Sequence, residues 1–92
     1  MKTAQRKHKR QKTVQEIAIK IPEISSDEIK GILMDISEEG LGVSTEHPLQ
    51  PGELIEVFTG RAVLTGTVMW TIKQDKTFRS GVYLVNIKNL FD

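Results

Sequence analysis

The chain has 92 residues, 38% of them hydrophobic and 27% charged, with no cysteine and a formal net charge of +1. That length allows one domain with a small core, and the composition is that of a soluble globular chain. The missing cysteines exclude disulfides, thiolate catalysis and cysteine metal sites, and fit a cytoplasmic address. The near-zero charge hides a split. Lys2, Arg6, Lys7, Lys9, Arg10 and Lys12 give residues 1–12 a charge of +6 with no acid, whereas seven basic residues against 12 acids leave residues 13–92 at −5. A basic arm on an acidic body suits an anionic partner; the plain alternative is a solvated tail. Apolar runs are short, such as Ile32-Leu33-Met34, so no membrane span and no secretory signal are expected.

From Val14 onward the hydrophobic pattern has a period of two, the mark of strands. Ile17, Ile19 and Ile21 alternate with Ala18 and Lys20, and Pro22 ends the run. Ser25-Ser26-Asp27-Glu28 is expected as a polar turn. Ile29 to Ile36 comes next as a strand, with Ile32, Met34 and Ile36 on one face and Gly31, Leu33 and Asp35 on the other. Ser37-Glu38-Glu39-Gly40 makes a tight turn, and Leu41 to Ser44 a short strand. The loop 47–52, with Pro48, Pro51 and Gly52, excludes helix and central strand. Leu54 to Phe58 and Ala62 to Ile72 are strands, the second with Leu64, Val68 and Trp70 on one face. Gly66 between them marks a bend or a close backbone approach. A polar hairpin loop at 73–76 leads to a last strand from Phe78 to Val85, and a short helical turn is expected over 86–92. Six short strands with glycine-bearing turns predict an all-β fold, a six-stranded antiparallel β-barrel over 13–92 preceded by a flexible basic arm over 1–12.

Enzyme chemistry has little support. His8 and His47 stand 39 positions apart, no ligand pair has metal-binding spacing, and no phosphate-binding glycine loop is present. No catalytic residue, metal or cofactor is expected. Two elements are informative. Arg6-Lys7-His8-Lys9-Arg10 is an R-x-x-x-R spacing that brings two guanidinium forks to one side if the arm turns. Such forks match phosphate oxygens and the O6/N7 edge of guanine. Asp35-Ile36-Ser37-Glu38-Glu39-Gly40 is a D-x-S-x-x-G at a strand-to-strand turn. Period two sets Asp35 and Ser37 on one face, while Ile36 points the other way into the core. A carboxylate there accepts from a guanine N1–H and exocyclic amine, and a hydroxyl bonds a base or a phosphate. Gly40 supplies a positive φ and room for a ligand. The alternative is a serine turn that satisfies its own backbone.

In this order and separation, the two elements resemble the signature of the PilZ domain family. Pro51-Gly52, Val68-Met69-Trp70 and Gly81-Val82-Tyr83-Leu84 extend the likeness over residues 5–85. The resemblance implies a six-stranded barrel that binds the bacterial second messenger cyclic di-GMP. It implies that Arg6 and Arg10 clamp guanine edges and phosphates, Asp35 holds a guanine Watson–Crick edge, Ser37 bonds the same base or a phosphate, and Gly40 shapes the turn. Lys7 adds attraction for phosphate, and Trp70 either approaches the ligand or serves as a core or rim aromatic. Members often carry a further arginine where this chain has Gln5, a position that bears on whether one ligand or a stacked pair binds. Many also end in a longer helix than this chain is expected to have.

The expected function is that of a receptor or adaptor. Ligand clamps the arm onto the Asp35/Ser37 face and changes the surface shown to an effector protein. Two alternatives stand beside it. One is a small nucleic-acid-binding barrel, against which stand the acidic body and only five scattered aromatics, Phe58, Trp70, Phe78, Tyr83 and Phe91. The other is a PilZ-like protein-interaction adaptor that binds no nucleotide.

Overall fold

A computed structural model describes residues 11–90. The strands are β1 (Gln11–Ile21), β2 (Ser25–Ile36), β3 (Gly40–Thr45), β4 (Leu54–Phe58), β5 (Ala62–Gln74) and β6 (Thr77–Asn89). They close into an antiparallel ring in the order β1-β2-β3-β6-β5-β4, as the strand count predicted. The seam is narrow: β1 meets β4 only over Ala18 to Lys20. Closure leaves most backbone groups of the short strands paired and removes long open edges.

Alternation builds the core. Ile17, Ile19 and Ile21 point inward at 6%, 0% and 5% exposure, against Leu33, Leu41, Val43, Ile55, Val57, Leu64, Val68 and Val82. Burying each such side chain stabilises the fold by about 1.5–3 kcal/mol relative to leaving it exposed. The connection from β3 to β4 crosses an end of the ring and inserts Leu49, 1% exposed, as a plug. Backbone bonds from Gly52 N to Val68 O (2.7 Å) and from Val68 N to Glu53 O (2.9 Å) fasten this loop to β5. Gly52 adopts φ 94°, a left-handed conformation that glycine takes at little cost.

Several sequence expectations are corrected. The first turn falls on Pro22, Glu23 and Ile24, and Ser25 to Glu28 open β2 instead of forming the turn. Their polarity reflects solvent exposure at the far end of a strand. At the other end of the chain, residues 86–89 continue β6 and pair with Ala62 to Thr65, so the expected helical turn is absent there. Counted with the arm by charge, Gln11 and Lys12 stand in the ladder opposite Ile36 and Asp35.

The most consequential corrections concern faces. Strict alternation groups Asp35 with Leu33, and Trp70 with Val68. In the structure β2 carries an extra residue, Met34, between Leu33 (opposite Val43) and Asp35 (opposite Gly42). Likewise β5 carries Met69 between Val68 (opposite Val82) and Trp70 (opposite Gly81). Each is a β-bulge, which inverts the side-chain parity of the residues beyond it. Leu33 therefore points inward with Val43 and parts from Asp35, while Ile36 packs on the core and Asp35 faces out, the relation expected of those two. Val68 points inward at 1% exposure, and Trp70 turns outward at 46%. Gly66 meets its expectation of close approach: a Cβ there would lie 2.6 Å from both Tyr83 O and Val82 Cγ1.

Candidate functional site

The ladder places five outward positions in one row: Lys12 on β1, Asp35 on β2, Gly42 on β3, Gly81 on β6 and Trp70 on β5. Cross-strand partners share a face. The neighbouring pair Val43 and Ser80 faces the core, so Gly42 and Gly81 face out. Both glycines are covered by their row neighbours. A Cβ on Gly42 would stand 2.7 and 2.8 Å from the Asp35 carboxylate oxygens. A Cβ on Gly81 would overlap the Trp70 indole at Nε1 and Cε2. Side chains missing at the centre of the row thus let a carboxylate and an indole lie side by side on the sheet.

Arg79 completes the group. It pairs with Ser44, two positions before Gly81 on the same outward face of β6. From there it reaches diagonally over β3, and its Nη2 donates to Asp35 Oδ2 at 2.9 Å. The two side chains are 30% and 16% exposed, so the ion pair is shielded from solvent screening more than a surface pair. The Nε of Arg79 is buried with no hydrogen-bond partner among the described residues. Sequence reasoning missed Arg79, Gly42 and Gly81. Mid-strand glycines on both β3 and β6 were the available signal, together with the two-residue spacing from Arg79 to Gly81.

Ser37 lies just past β2, in the turn. Its hydroxyl accepts from the backbone N–H groups of Glu39 and Gly40, both at 3.3 Å, and lies 3.5 Å from the Gly40 carbonyl. The turn closes through Ser37 N to Gly40 O at 2.9 Å. These bonds are those of a serine turn that holds its own backbone. Gly40 begins β3 without the positive φ expected of it, since Gly52 alone of the described glycines has one. Glycine is required at position 40 for another reason: a Cβ would overlap the Val82 carbonyl oxygen. Trp70 is a rim aromatic on the sheet's outer face and not a core residue. Arg6, Lys7 and Arg10 lie outside the described residues. The strand that continues from them enters beside the row, because Gln11 pairs with Ile36 and Lys12 with Asp35.

A broad groove of about 890 Å³ lies elsewhere, lined by residues that include Glu16, Ala18, Ile32, Ser44, Glu46 and Phe58. It contains none of Asp35, Gly42, Gly81, Trp70 or Arg79. The row is the better candidate site, because the paired charges, the aromatic face and the sequence motif converge there. Among the described residues, no group of three or more histidines, cysteines or carboxylates is placed to hold a metal. No helix there is long and apolar enough to cross a membrane.

A search of curated proteins finds no match. Among solved structures, the chain is similar to the Bacillus subtilis inhibitor of motility MotI/DgrA, with a TM-score of 0.70 at 15% identity. The alignment covers 92% of this chain and 44% of that one, so the chain spans less than half of that protein's length. At that identity the likeness concerns the fold. The family model for the PilZ domain matches residues 4–89. With the ring of six strands and the motif at the β2–β3 turn, that match over nearly the whole sequence establishes that the chain belongs to the PilZ domain family.

Proposed function

We propose that the protein is a cyclic di-GMP receptor that acts as an adaptor and not as an enzyme. The observation that carries this reading is the row itself. Asp35 is turned outward by a bulge beside Trp70, at the point where the strand continuing from Arg6 and Arg10 joins the ring. A guanine offers N1–H and amine donors to a carboxylate and a flat face to an indole. Its O6/N7 edge and the phosphates remain for arginine. Arg6 and Arg10 close over the ligand from the arm, Lys7 adds attraction, and Asp35 reads the base. Ser37 holds the turn through its hydroxyl and presents that same group toward the ligand, and Gly40 keeps β3 close to β6. Ordering of the arm on the ligand costs on the order of 1 kcal/mol or more per fixed residue, which tempers affinity. The surface so formed is what an effector protein recognises. MotI/DgrA carries the name of a motility inhibitor, and for the present chain we propose an output through a protein partner in the cytoplasm.

Calorimetry with cyclic di-GMP on the wild type, Arg6→Ala, Arg10→Ala and Asp35→Ala tests the proposal. Binding by the wild type and a loss of at least about tenfold in each variant is expected. No heat from the wild type at high micromolar ligand refutes the receptor reading. Equal binding by Asp35→Ala refutes the assignment of the base-reading face.

A further inference from the structure

Asp35 is not a solitary carboxylate, and its ion pair has a consequence for recognition that rests on the receptor reading above. A carboxylate reads a guanine edge only when the plane of its two oxygens lines up with the two N–H donors. The terminal torsion of aspartate is broad and roughly two-fold, so the residue alone does not define that plane. Here the carboxylate lies against Gly42, with no side chain to hold it on that side. The polar contact that orients it from β6 is the 2.9 Å bond from Arg79 Nη2 to Oδ2. We infer that Arg79 is a positioning residue for guanine recognition, and that the Asp35–Arg79 pair, not Asp35 alone, is the base reader.

Charge supports the same conclusion. A cyclic dinucleotide brings two phosphates to a face whose reading group is itself an anion. The guanidinium beside Asp35 offsets that repulsion where both side chains are largely sheltered, 30% and 16% exposed, and salt screens it little. Arg79 also has the geometry for this task. It stems from β6, two positions before Gly81 on the same outward face, so it approaches the carboxylate from the side, across β3. An arginine in this place is therefore required by the orientation of a neighbour, and lysine, a point charge without a planar fork, replaces it only in part.

The test is a double-mutant cycle in cyclic di-GMP affinity, measured by calorimetry on the full chain. The variants are Arg79→Ala, Arg79→Lys, Asp35→Asn and the double variant Asp35→Asn/Arg79→Ala, each with a thermal melt. Asp35→Asn keeps an acceptor and abolishes the ion pair, so residual binding stays measurable. The expected result is a loss of about tenfold for Arg79→Ala and partial recovery in Arg79→Lys. In the Asp35→Asn background, Arg79→Ala is expected to add less than about twofold. If Arg79→Ala fails to fold, Arg79→Gln, which keeps the length and loses the charge, takes its place. Wild-type affinity in Arg79→Ala overturns the inference. So does the same fold-loss in both backgrounds, because Arg79 then acts independently of Asp35. An absence of binding by the wild type overturns the receptor reading and this inference with it, whereas the other two results leave the receptor reading standing.

Discussion

The contact of Trp70 with Gly81 can be broken by one methyl group. In Gly81→Ala the new Cβ overlaps the indole at Nε1 and Cε2. The ring must then lift from the sheet, because the backbone of β6 is held on both sides, by β3 and by β5. Trp70 is 46% exposed, so about half of its surface is covered. A fully buried aromatic covers roughly 150–250 Å², and half of that, roughly 100 Å² at about 25 cal/mol per Å², stabilises by about 2.5 kcal/mol. Alanine restricts the unfolded chain and returns about 0.4–1 kcal/mol. The net loss is about 1–2 kcal/mol, and each kcal/mol lowers Tm by about 4–8 °C in a domain of this size. The chain has a single tryptophan, so emission reports on this contact alone. A red shift with a lower Tm is expected. Gly60→Ala is the control, because a Cβ there meets nothing within 4 Å. Emission and Tm equal to wild type in Gly81→Ala would show that the indole does not rest on β6, and the row would lose its aromatic floor.

Three further outcomes rest on particular contacts. Gly42→Ala drives a Cβ to 2.7 Å from the Asp35 carboxylate, so the side chain must swing away and give up Arg79. Cyclic di-GMP affinity by calorimetry is expected to fall about tenfold, with stability changed by no more than about 1 kcal/mol. Leu49→Ala empties the plug, 1% exposed, at the end of the ring, and urea unfolding is expected to show a loss of about 2–5 kcal/mol. Ser37→Ala removes hydroxyl bonds that are long, at 3.3 Å, so its cost in the same assay should stay near about 0.5–1 kcal/mol.

The ring was legible because most of its strands obey one rule. Ile17, Ile19 and Ile21 alternate with polar or small residues, and all three are buried as that pattern requires. Composition misled where exposure, not conformation, set it. Ser25 to Glu28 have the polarity of a turn, but they extend a strand beyond the part that faces the core. Residues 86–89 are exposed in the same way and are held by pairing with β5, a long-range partner that local sequence does not announce. Gly40 shows the same limit at one position. Its turn-forming neighbours suggested a special φ, but the constraint is the carbonyl of Val82, 42 positions away in the chain.

The site was half legible for a reason that belongs to its construction. A strand that alternates strictly gives one face to the core, and any residue on the core side of that alternation is turned away from a ligand. Asp35 stands two positions after the buried Leu33, and Trp70 two after the buried Val68, so alternation sets each on the face of a buried neighbour, although Asp35 was expected opposite a core-facing Ile36 and does stand so. Met34 and Met69 break the count, and each is absorbed as a bulge against a partner strand whose register continues unbroken from Gly42 to Val43 or from Gly81 to Val82. Nothing in Leu33-Met34-Asp35 or Val68-Met69-Trp70 marks the methionine as the extra residue. That is decided by β3 and β6, whose glycines leave space for the side chains the bulges turn outward. The motif therefore named the right carboxylate and the face opposite Ile36, but the bulge, the arginine partner and the glycine bed come from pairing across strands. A bulged strand opposite a glycine is the pattern that would find such a site in a related barrel, and it becomes readable only once the register is known.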